Sequence, residues 1–294
     1  MYPKPLELTL TRHPNSMWLE SLRWLDSAHY ELAVGAGDLQ GNYRVFADGR
    51  LLFHLIPSAI SSDERKEMFR LALAVARNKG KDTRRIRNVG GGGEHPITKA
   101  GTPSVFARAR PLKVLRHAKE GTFGFEGARP LVTGCGPCAF NLEQPEEYRQ
   151  LVPICDSLSD LAREHEPEQW RKQMEVAADH RNLMIGTTPW CQGVANLCFP
   201  MTMHCDSGNF PGSLSAAIVV GDFSGGPLIF PAYSVAAFLR PGDLLLFDGR
   251  ELHGVGPFTG VRLSVVLYLK SSVLQCPCAA SESVWEEPAV PSID

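Results

Sequence analysis

Long hydrophobic runs are absent from this chain of 294 residues. No apolar stretch approaches the ~18 consecutive residues that a membrane-spanning helix requires, which argues against an integral membrane protein. The first ten residues also lack the basic-then-apolar pattern of a secretory signal. We therefore expect an intracellular protein without membrane association, in which the eight cysteines are free thiols.

Cysteine spacing of the zinc-finger kind is lacking too. The motifs Cys135-Gly-Pro-Cys138 and Cys276-Pro-Cys278 each place two thiols close together in the sequence. A structural zinc site needs a second pair at matching spacing, and neither motif has one. A zinc site and a redox-active pair remain alternatives, but we favour ordinary thiols at these positions.

Net charge is small, at −2, but its distribution along the chain is uneven. Between Lys79 and Lys119 the chain carries eleven Lys or Arg residues against only Asp82 and Glu94, a local charge of +9. Such a basic segment is typical of a surface that binds an anionic partner such as nucleic acid. The alternative is a solvated loop and helix face.

The first 190 residues predict a helix-rich region. Residues 45–56 contain two apolar stretches around an Ala-Asp-Gly turn, which indicates a β-hairpin. A Ser-Ser-Asp-Glu capping box at residues 61–64 begins a helix. Residues 146–180 also have a helical pattern, with breaks expected near Pro153 and Pro167.

From about residue 194 the pattern changes to short strands and tight turns, which is typical of a barrel or jelly roll. The expected strands are residues 215–220, 228–231, 235–239, 244–247 and 261–269, with turns at residues 222–226 and 240–243. We predict an α+β fold with a double-stranded β-helix (jelly-roll) core over about residues 191–270 and supporting helices packed on one side. Residues 1–275 would form a single domain, and residues 276–294 a flexible tail.

Three residues of the second part form a candidate metal site. His204-Cys-Asp206 lies in or at the end of a strand-like stretch, where side chains two apart point to the same face. His253 follows the strand at residues 244–247. Two histidines and one carboxylate occupy one face of an octahedral ion and leave three positions open, as in oxygen-activating Fe(II) enzymes. We therefore assign all three as catalytic iron ligands.

Arg262, within the last apolar strand, would be costly to bury without a partner. Ser264 shares its face of the strand, so the two side chains could bind a carboxylate together, Arg262 in bidentate fashion and Ser264 through its hydroxyl. The distal carboxylate of 2-oxoglutarate is the natural candidate. The alternative is an internal ion pair of Arg262 with Asp243 or Asp248.

Several motifs resemble those of the TET/JBP family, which comprises Fe(II)- and 2-oxoglutarate-dependent dioxygenases that oxidise the 5-methyl group of pyrimidines in nucleic acids. They are His204-Cys-Asp-Ser-Gly-Asn209, Gly221-Asp-Phe-Ser-Gly-Gly226, Arg240-Pro-Gly-Asp243, Leu252-His253-Gly254 and Arg262-Leu-Ser264. The resemblance is close over about residues 194–270 and loose over the first 190. It implies iron ligands at His204, Asp206 and His253, and 2-oxoglutarate contacts at Arg262 and Ser264.

The resemblance also bears on the substrate. Asn209 matches a family asparagine that contacts the target base, although a turn formed by the following Phe-Pro-Gly would explain it as well. Asn196 has a family counterpart without an assigned role. Phe106, Phe123 or Phe125 could stack on a base or wedge into a duplex, although core packing is the commoner role of such residues.

We predict an Fe(II)-dependent dioxygenase of nuclear location that oxidises 5-methylcytosine or thymine in DNA, with 2-oxoglutarate as co-substrate. DNA is favoured over RNA as the partner, bound through the basic segment between Lys79 and Lys119. Three alternatives stay open. They are a dioxygenase of a protein side chain or small molecule, a variant 5-methylcytosine-modifying enzyme with another co-substrate such as ascorbate, and a binding module without activity.

Overall fold

The structure is a computed structural model and describes residues 4–12, 38–39, 41–78, 119–127, 135–199, 201 and 203–277. Residues 79–118, which are nearly all of the basic segment and include Phe106, lie outside the described residues. So do residues 278–294 of the expected tail. Within the described part of the chain, no helix is long and apolar enough to cross a membrane.

The described residues form short strands and a small set of helices. The helices are α1 (Ser62–Arg77), α2 (Ala139–Glu143), α3 (Pro145–His165) and α4 (Pro167–Val176), with 3-10 helices at Ala178–Leu183 and Pro231–Tyr233. The strands are β1 (Leu6–Leu10), β2 (Asp38–Leu39), β3 (Tyr43–Ala47), β4 (Arg50–Ile56), β5 (Lys119–Glu126), β6 (Gly136–Pro137), β7 (Gln192–Leu197), β8 (Ser215–Gly225), β9 (Leu228–Phe230), β10 (Val235–Ala237), β11 (Leu244–Phe247), β12 (Gly254–Val255) and β13 (Phe258–Tyr268).

These strands form two sheets. The larger sheet has the order β1-β3-β4-β11-β8-β13-β7-β5-β6, and the smaller has the order β12-β9-β10-β2. Most neighbours are antiparallel, with parallel pairing of β1 with β3 and of β2 with β10. Two mainly antiparallel sheets packed on each other are the predicted jelly-roll core. Five strands that precede residue 191 complete the larger sheet.

Alternate residues of the central strands face two different cores. In β11, Leu244 packs with the helices, whereas Leu245 packs between the two sheets. In β13, Leu263 lies on the helix side. Because side chains alternate along a strand, its neighbours Arg262 and Ser264 point into the space between the sheets.

The helices cover one face of the larger sheet, as predicted, and α1 begins at the predicted capping box. The hydroxyl of Ser61 accepts a hydrogen bond from the Glu64 N–H at 3.3 Å, and the Glu64 carboxylate accepts one from the Ser61 N–H at 2.7 Å. This exchange satisfies two N–H groups that the first turn leaves without partners. The apolar face of α1, including Met68 and Leu71, packs into the same core as Leu244.

Two of the predicted boundaries are wrong. Pro153 lies inside α3 and does not end it, whereas the predicted break at Pro167 occurs. A proline in a helix removes one hydrogen bond, and here the burial of the α3 side chains in the helix-side core outweighs that loss. The turn predicted at residues 222–226 is also absent, since β8 runs to Gly225. Its last residues pair with β13, and Gly225 lies opposite Phe258.

The expectation that all cysteines are free thiols is wrong for two of them. Cys135 and Cys276 form a disulfide, with their Cα atoms 6.1 Å apart. This bond does not follow either sequence motif, and Cys138 is a buried thiol outside the disulfide. It joins the segment before β6 to the turn after β13, which pack in one apolar cluster with Phe125 and Leu269. Tertiary proximity of this kind is not visible in motif spacing.

A buried ion-pair network ties the hairpin of β3 and β4 to the junction of α3 and α4. Glu166 accepts hydrogen bonds from Arg44 Nε at 2.7 Å and from Arg44 Nη2 at 2.8 Å. Nδ1 of the buried His54 lies 2.8 Å from Oε1 of Glu166. Burial raises the pKa of Glu166, but the hydrogen bonds from His54 and Arg44 outweigh it, and the net shift is downward.

Glu166→Ala should therefore destabilise the fold by about 3 kcal/mol at neutral pH, because the buried His54 Nδ1 and two of the guanidinium nitrogens of Arg44 lose their acceptor, and Arg44 keeps only the exposed Glu7. A carboxylate with a lowered pKa stabilises the folded state above its ordinary value of 4.5, so this advantage of the wild type should be lost as the pH falls through and below that value. Urea unfolding at several pH values measures both effects. Glu164→Ala, an exposed change at the end of α3, is the control, and an equal loss in both variants would contradict the role of the network.

Candidate active site

Two chain segments are joined by backbone hydrogen bonds beside the core between the sheets. His204 and His253 form an isolated antiparallel β-bridge. The N–H of His204 donates to the carbonyl of His253 at 2.9 Å, and the N–H of His253 donates to the carbonyl of His204 at 3.0 Å. The N–H of Asp206 donates to the carbonyl of Gly249 at 2.8 Å. His204 was predicted in or at the end of a strand, and in the structure it forms a single β-bridge that aligns it with His253.

The three predicted ligand residues lie together. Nε2 of His204 is 3.5 Å from Oδ1 of Asp206, and Nε2 of His253 is 3.9 Å from Oδ2 of Asp206. The centroids of the two imidazole rings are 4.4 Å apart. One ligand atom from each residue lies within 4.8 Å of the others, and the described residues contain no second group of this kind. A single metal ion can bridge such a set.

His253 is held in the form that binds metal. It is buried, with its ring 5.3 Å from that of Phe247 and 6.2 Å from that of Phe230. Nδ1 lies 2.8 Å from the backbone carbonyl of Glu251, which can only accept, so Nδ1 carries the proton and Nε2 offers its lone pair. Burial, reinforced by the nearby His204, lowers the pKa of His253 to about 4, and the ring is neutral at pH 7.

The donor set fits Fe(II). Two imidazoles and one carboxylate, clustered on one side, are the facial arrangement that non-haem iron enzymes use. The side chain of Asp206 is 31% exposed and that of His204 12% exposed, whereas that of His253 is buried. The site is therefore open on the side of Asp206, where further ligands of the ion can enter.

Arg262 is a buried cation that needs an anion. It is 4% exposed, and its guanidinium carbon lies 5.6 Å from the ring centroid of Phe223 and 5.8 Å from that of Phe258. Among the described residues its Nε has no hydrogen-bond partner. Burial lowers its pKa to about 10, which still leaves it charged at pH 7. A Cβ on Gly226 would lie 2.9 Å from Nε of Arg262, so a larger residue at this position would clash with the Arg262 side chain.

The two internal acids considered as alternative partners of Arg262 are engaged elsewhere. Asp243 accepts hydrogen bonds from the N–H groups of Ser58 and Arg240, both at 2.8 Å. Asp248 accepts one from Nη1 of Arg50 at 2.6 Å. Neither carboxylate neutralises Arg262, which favours an anion supplied by a ligand.

Ser264 and Asn196 share the face of Arg262. Ser264 lies directly opposite Asn196 in the register of β13 with β7, and such cross-strand side chains stand ~5 Å apart. Asn196 is 4% exposed, and its Oδ1 has no hydrogen-bond partner among the residues that the structure describes. We call Arg262, Ser264 and Asn196 the anion pocket. It combines a cation, a hydroxyl and an acceptor that has no donor within the described part of the chain.

Asn209 lies behind Asp206. Its buried side chain donates from Nδ2 to the hydroxyl of Ser215 at 3.1 Å, and its N–H donates to the carbonyl of Asp206 at 2.9 Å. A Cβ on Gly249 would lie 3.0 Å from Asp206 Oδ2, from Asn209 Nδ2 and from Ser215 Oγ. This packing supports the turn role of Asn209 directly, and its contact with a target base stays a prediction.

Two of the three aromatic residues considered for base stacking lie among the described residues, and both are core residues. Phe123 is buried with the helices, and Phe125 is buried in the cluster around the disulfide. The stacking hypothesis is therefore wrong for these two. Phe106 lies outside the described residues.

The charged residues around the ligands were not predicted from the sequence. Arg50, Asp248, Arg250 and Glu251 form hydrogen bonds and ion pairs beside His253. The available signal was the charge-rich run of residues 248–251, which ends two positions before His253. Taken alone, such a run predicts a solvent-exposed turn.

Comparison with known proteins gives a consistent result. Residues 126–271 match the Tet_JBP family model, the oxygenase domain of the 2OGFeDO superfamily. The chain is 28% identical over 166 residues to thymine dioxygenase JBP1 of Trypanosoma brucei brucei, which covers 54% of this chain and 19% of that protein. It is 29% identical over 151 residues to thymine dioxygenase JBP1 of Crithidia fasciculata, covering 51% and 18%. The chain thus spans less than a fifth of the length of these relatives.

The fold also has a solved counterpart. The structure of NgTET1 in complex with 5mC DNA superposes with a TM-score of 0.57 at 13% sequence identity, over 96% of this chain and 86% of that chain. This likeness confirms the predicted fold class. The region matched by the family model contains every candidate ligand and all three residues of the anion pocket.

Proposed function

Since the chain belongs to the TET/JBP family of Fe(II)- and 2-oxoglutarate-dependent oxygenases, we propose that it oxidises the 5-methyl group of 5-methylcytosine or thymine in DNA. The observation that carries this proposal is the convergence of His204, Asp206 and His253 within reach of one ion. A module that only binds nucleic acid would have no use for ligand atoms held at this spacing.

The three side chains have distinct roles in holding iron. His204 and His253 would supply neutral nitrogen ligands, and the carboxylate of Asp206 would balance part of the charge of the ion. The hydrogen bond from His253 Nδ1 to the carbonyl of Glu251 fixes the tautomer and the orientation of the ring. An Fe(II) ion held by these residues would supply the activation of O2, of which one atom would enter the methyl group as a hydroxyl and the other would enter succinate as 2-oxoglutarate loses CO2.

The anion pocket would hold the co-substrate. Arg262 and Ser264 would bind the distal carboxylate of 2-oxoglutarate through a charged pair and a hydroxyl hydrogen bond. The rings of Phe223 and Phe258 screen the guanidinium from water, which strengthens its attraction for a carboxylate. The bound anion would also remove the energetic cost of a buried, uncompensated cation.

The substrate base has to leave its helix to react. A methyl group inside a duplex cannot reach residues buried between two sheets, so the target nucleotide would be flipped out of the stack. The basic segment between Lys79 and Lys119 would contact the phosphates of the DNA, and binding should weaken steeply with salt. An enzyme of this kind in a eukaryotic cell would act in the nucleus.

The proposal is tested by mass spectrometry of nucleosides. Iron-loaded protein is incubated with methylated DNA, 2-oxoglutarate and O2, and we expect a 5-hydroxymethyl nucleoside and one succinate for each oxidation. The same mixture with Asp63→Asn protein, changed at an exposed helix residue, should behave identically. Succinate formation only with a peptide or small-molecule substrate, and no oxidised nucleoside, would overturn the DNA assignment.

One observation favours a second candidate, an enzyme that modifies 5-methylcytosine with a hydroxylated co-substrate such as ascorbate. The buried Oδ1 of Asn196 lacks a donor among the described residues. At neutral pH 2-oxoglutarate has only acceptor oxygens, whereas a hydroxyl of ascorbate could donate to this atom. Replacing 2-oxoglutarate by ascorbate in the nucleoside assay separates the two candidates. The first predicts a modified nucleoside with 2-oxoglutarate and none with ascorbate, and the second predicts the reverse.

A further inference from the structure

All candidate iron ligands lie on two short loops. The first ligand loop comprises residues 204–209 and carries His204 and Asp206, and the second ligand loop comprises residues 248–253 and carries His253. The loops are joined by the two bridge hydrogen bonds and by the bond from the Asp206 N–H to the Gly249 carbonyl. Neither loop lies within a regular strand, so ligand spacing depends on how well the loops are held together.

One side chain adds a second connection between the loops. Nη1 of Arg250, on the second ligand loop, donates to the carbonyl of Ser207 at 2.9 Å and to the carbonyl of Asn209 at 3.0 Å. These carbonyls lie on either side of the turn that follows Asp206. The Arg250 guanidinium therefore bridges the two loops beyond the residues that pair through their backbones.

The second ligand loop is in turn fixed to the sheet. The N–H of Asp248 donates to the carbonyl of Leu52 in β4 at 2.9 Å, and the Asp248 carboxylate accepts from the Arg250 N–H at 3.0 Å. Arg50, at the start of β4, donates to Asp248 at 2.6 Å and also to Glu251. Asp248 and Glu251 are both buried, and the carbonyl of Glu251 is the one that orients His253.

We propose that Arg250 is a positioning residue for the metal site, which braces the first ligand loop against the anchored second loop so that Asp206 and His253 are set before the metal arrives. This inference rests on the proposed metal site. The hydrogen bonds of Arg250 to the first ligand loop go to backbone carbonyls, so its effect acts through the backbone of residues 207 and 209. Groups of this kind commonly change metal affinity by roughly 10- to 100-fold when removed.

The first test is a titration of the metal-free protein with Co(II), followed by its visible absorption. Wild-type protein should bind one ion, and Arg250→Ala should bind it roughly 10-fold more weakly, with an altered spectrum. Arg250→Lys, which can still donate to both carbonyls, should recover part of the affinity. The control is Arg149→Ala, which removes an exposed arginine whose partner is Glu146 on the same helix, and it should match the wild type.

The second test needs no metal. In metal-free protein, amide hydrogen exchange at Asp206 and Asn209 should speed up in Arg250→Ala, whereas exchange in β13 should not change. Wild-type affinity and spectrum in Arg250→Ala, with unchanged exchange at these amides, would remove Arg250 from this role. If the wild-type protein itself binds no Co(II), the proposed metal site fails, and hydrogen exchange still decides whether Arg250 braces the loop.

Discussion

Replacing Asp206 by asparagine should lower the rate of base oxidation by at least about 1000-fold, which corresponds to about 4 kcal/mol. The carboxylate is the one anionic ligand in the candidate set, and an amide oxygen cannot balance the charge of the ion. The change preserves the size of the side chain, and Asp206 is 31% exposed. We therefore expect the fold to survive while metal binding is lost.

Three measurements on the same preparation separate these effects. Co(II) titration reports metal binding, nucleoside mass spectrometry reports turnover, and thermal unfolding of the metal-free protein reports stability. Asp222→Asn, an exposed change in β8, provides a matched control and should keep full metal binding. Asp206→Asn protein that retains iron and oxidises DNA at the wild-type rate would rule out the assigned ligand set.

Replacing Arg262 by methionine should have opposite effects on activity and on stability. The loss of the cation should raise the KM for 2-oxoglutarate by about 100-fold, since truncating one partner of a buried charge pair commonly costs 2–5 kcal/mol. In the metal-free, ligand-free protein the same cation is buried with no partner for its Nε among the described residues. A methionine of similar length avoids that cost, so the unfolding midpoint should stay the same or rise.

The paired readout distinguishes a binding residue from a structural one. If Arg262 served only to hold the fold, Arg262→Met would lower the unfolding midpoint and leave the KM for the co-substrate unchanged. Arg149→Met, on the exposed face of α3, controls for the loss of an arginine in general. The KM for DNA should not change with either variant, because Arg262 lies in the space between the sheets.

The candidate site could be predicted to a large extent because its main residues obey short-range rules. Strand alternation is enough to place Arg262 and Ser264 on one face, and the structure has both on the side away from Leu263. His204 and His253 were paired by their chemistry, and the structure supplies the reason that they meet, a two-way backbone bridge. The capping box at Ser61 could be predicted for the same reason, because its residues are neighbours in the sequence.

The parts that could not be predicted depend on contacts between residues distant in sequence. Arg50 and Glu251 are 201 residues apart, and no local pattern pairs them. The break expected at Pro153 does not occur, since packing of α3 on other elements keeps the helix continuous. That packing is not visible in the local sequence. The turn expected at residues 222–226 failed for the same reason, since pairing with β13 extends β8.

The disulfide between Cys135 and Cys276 closes a covalent ring whose ends are 141 positions apart. Every candidate iron ligand and the whole anion pocket lie on this ring. A single proteolytic cut in any loop of the ring would therefore leave both fragments attached until a reductant is added. Closing a ring of this size is worth about 4–5 kcal/mol in the chain-entropy account. The stability of the part of the chain that carries the candidate site should consequently depend on the thiol–disulfide balance of its surroundings.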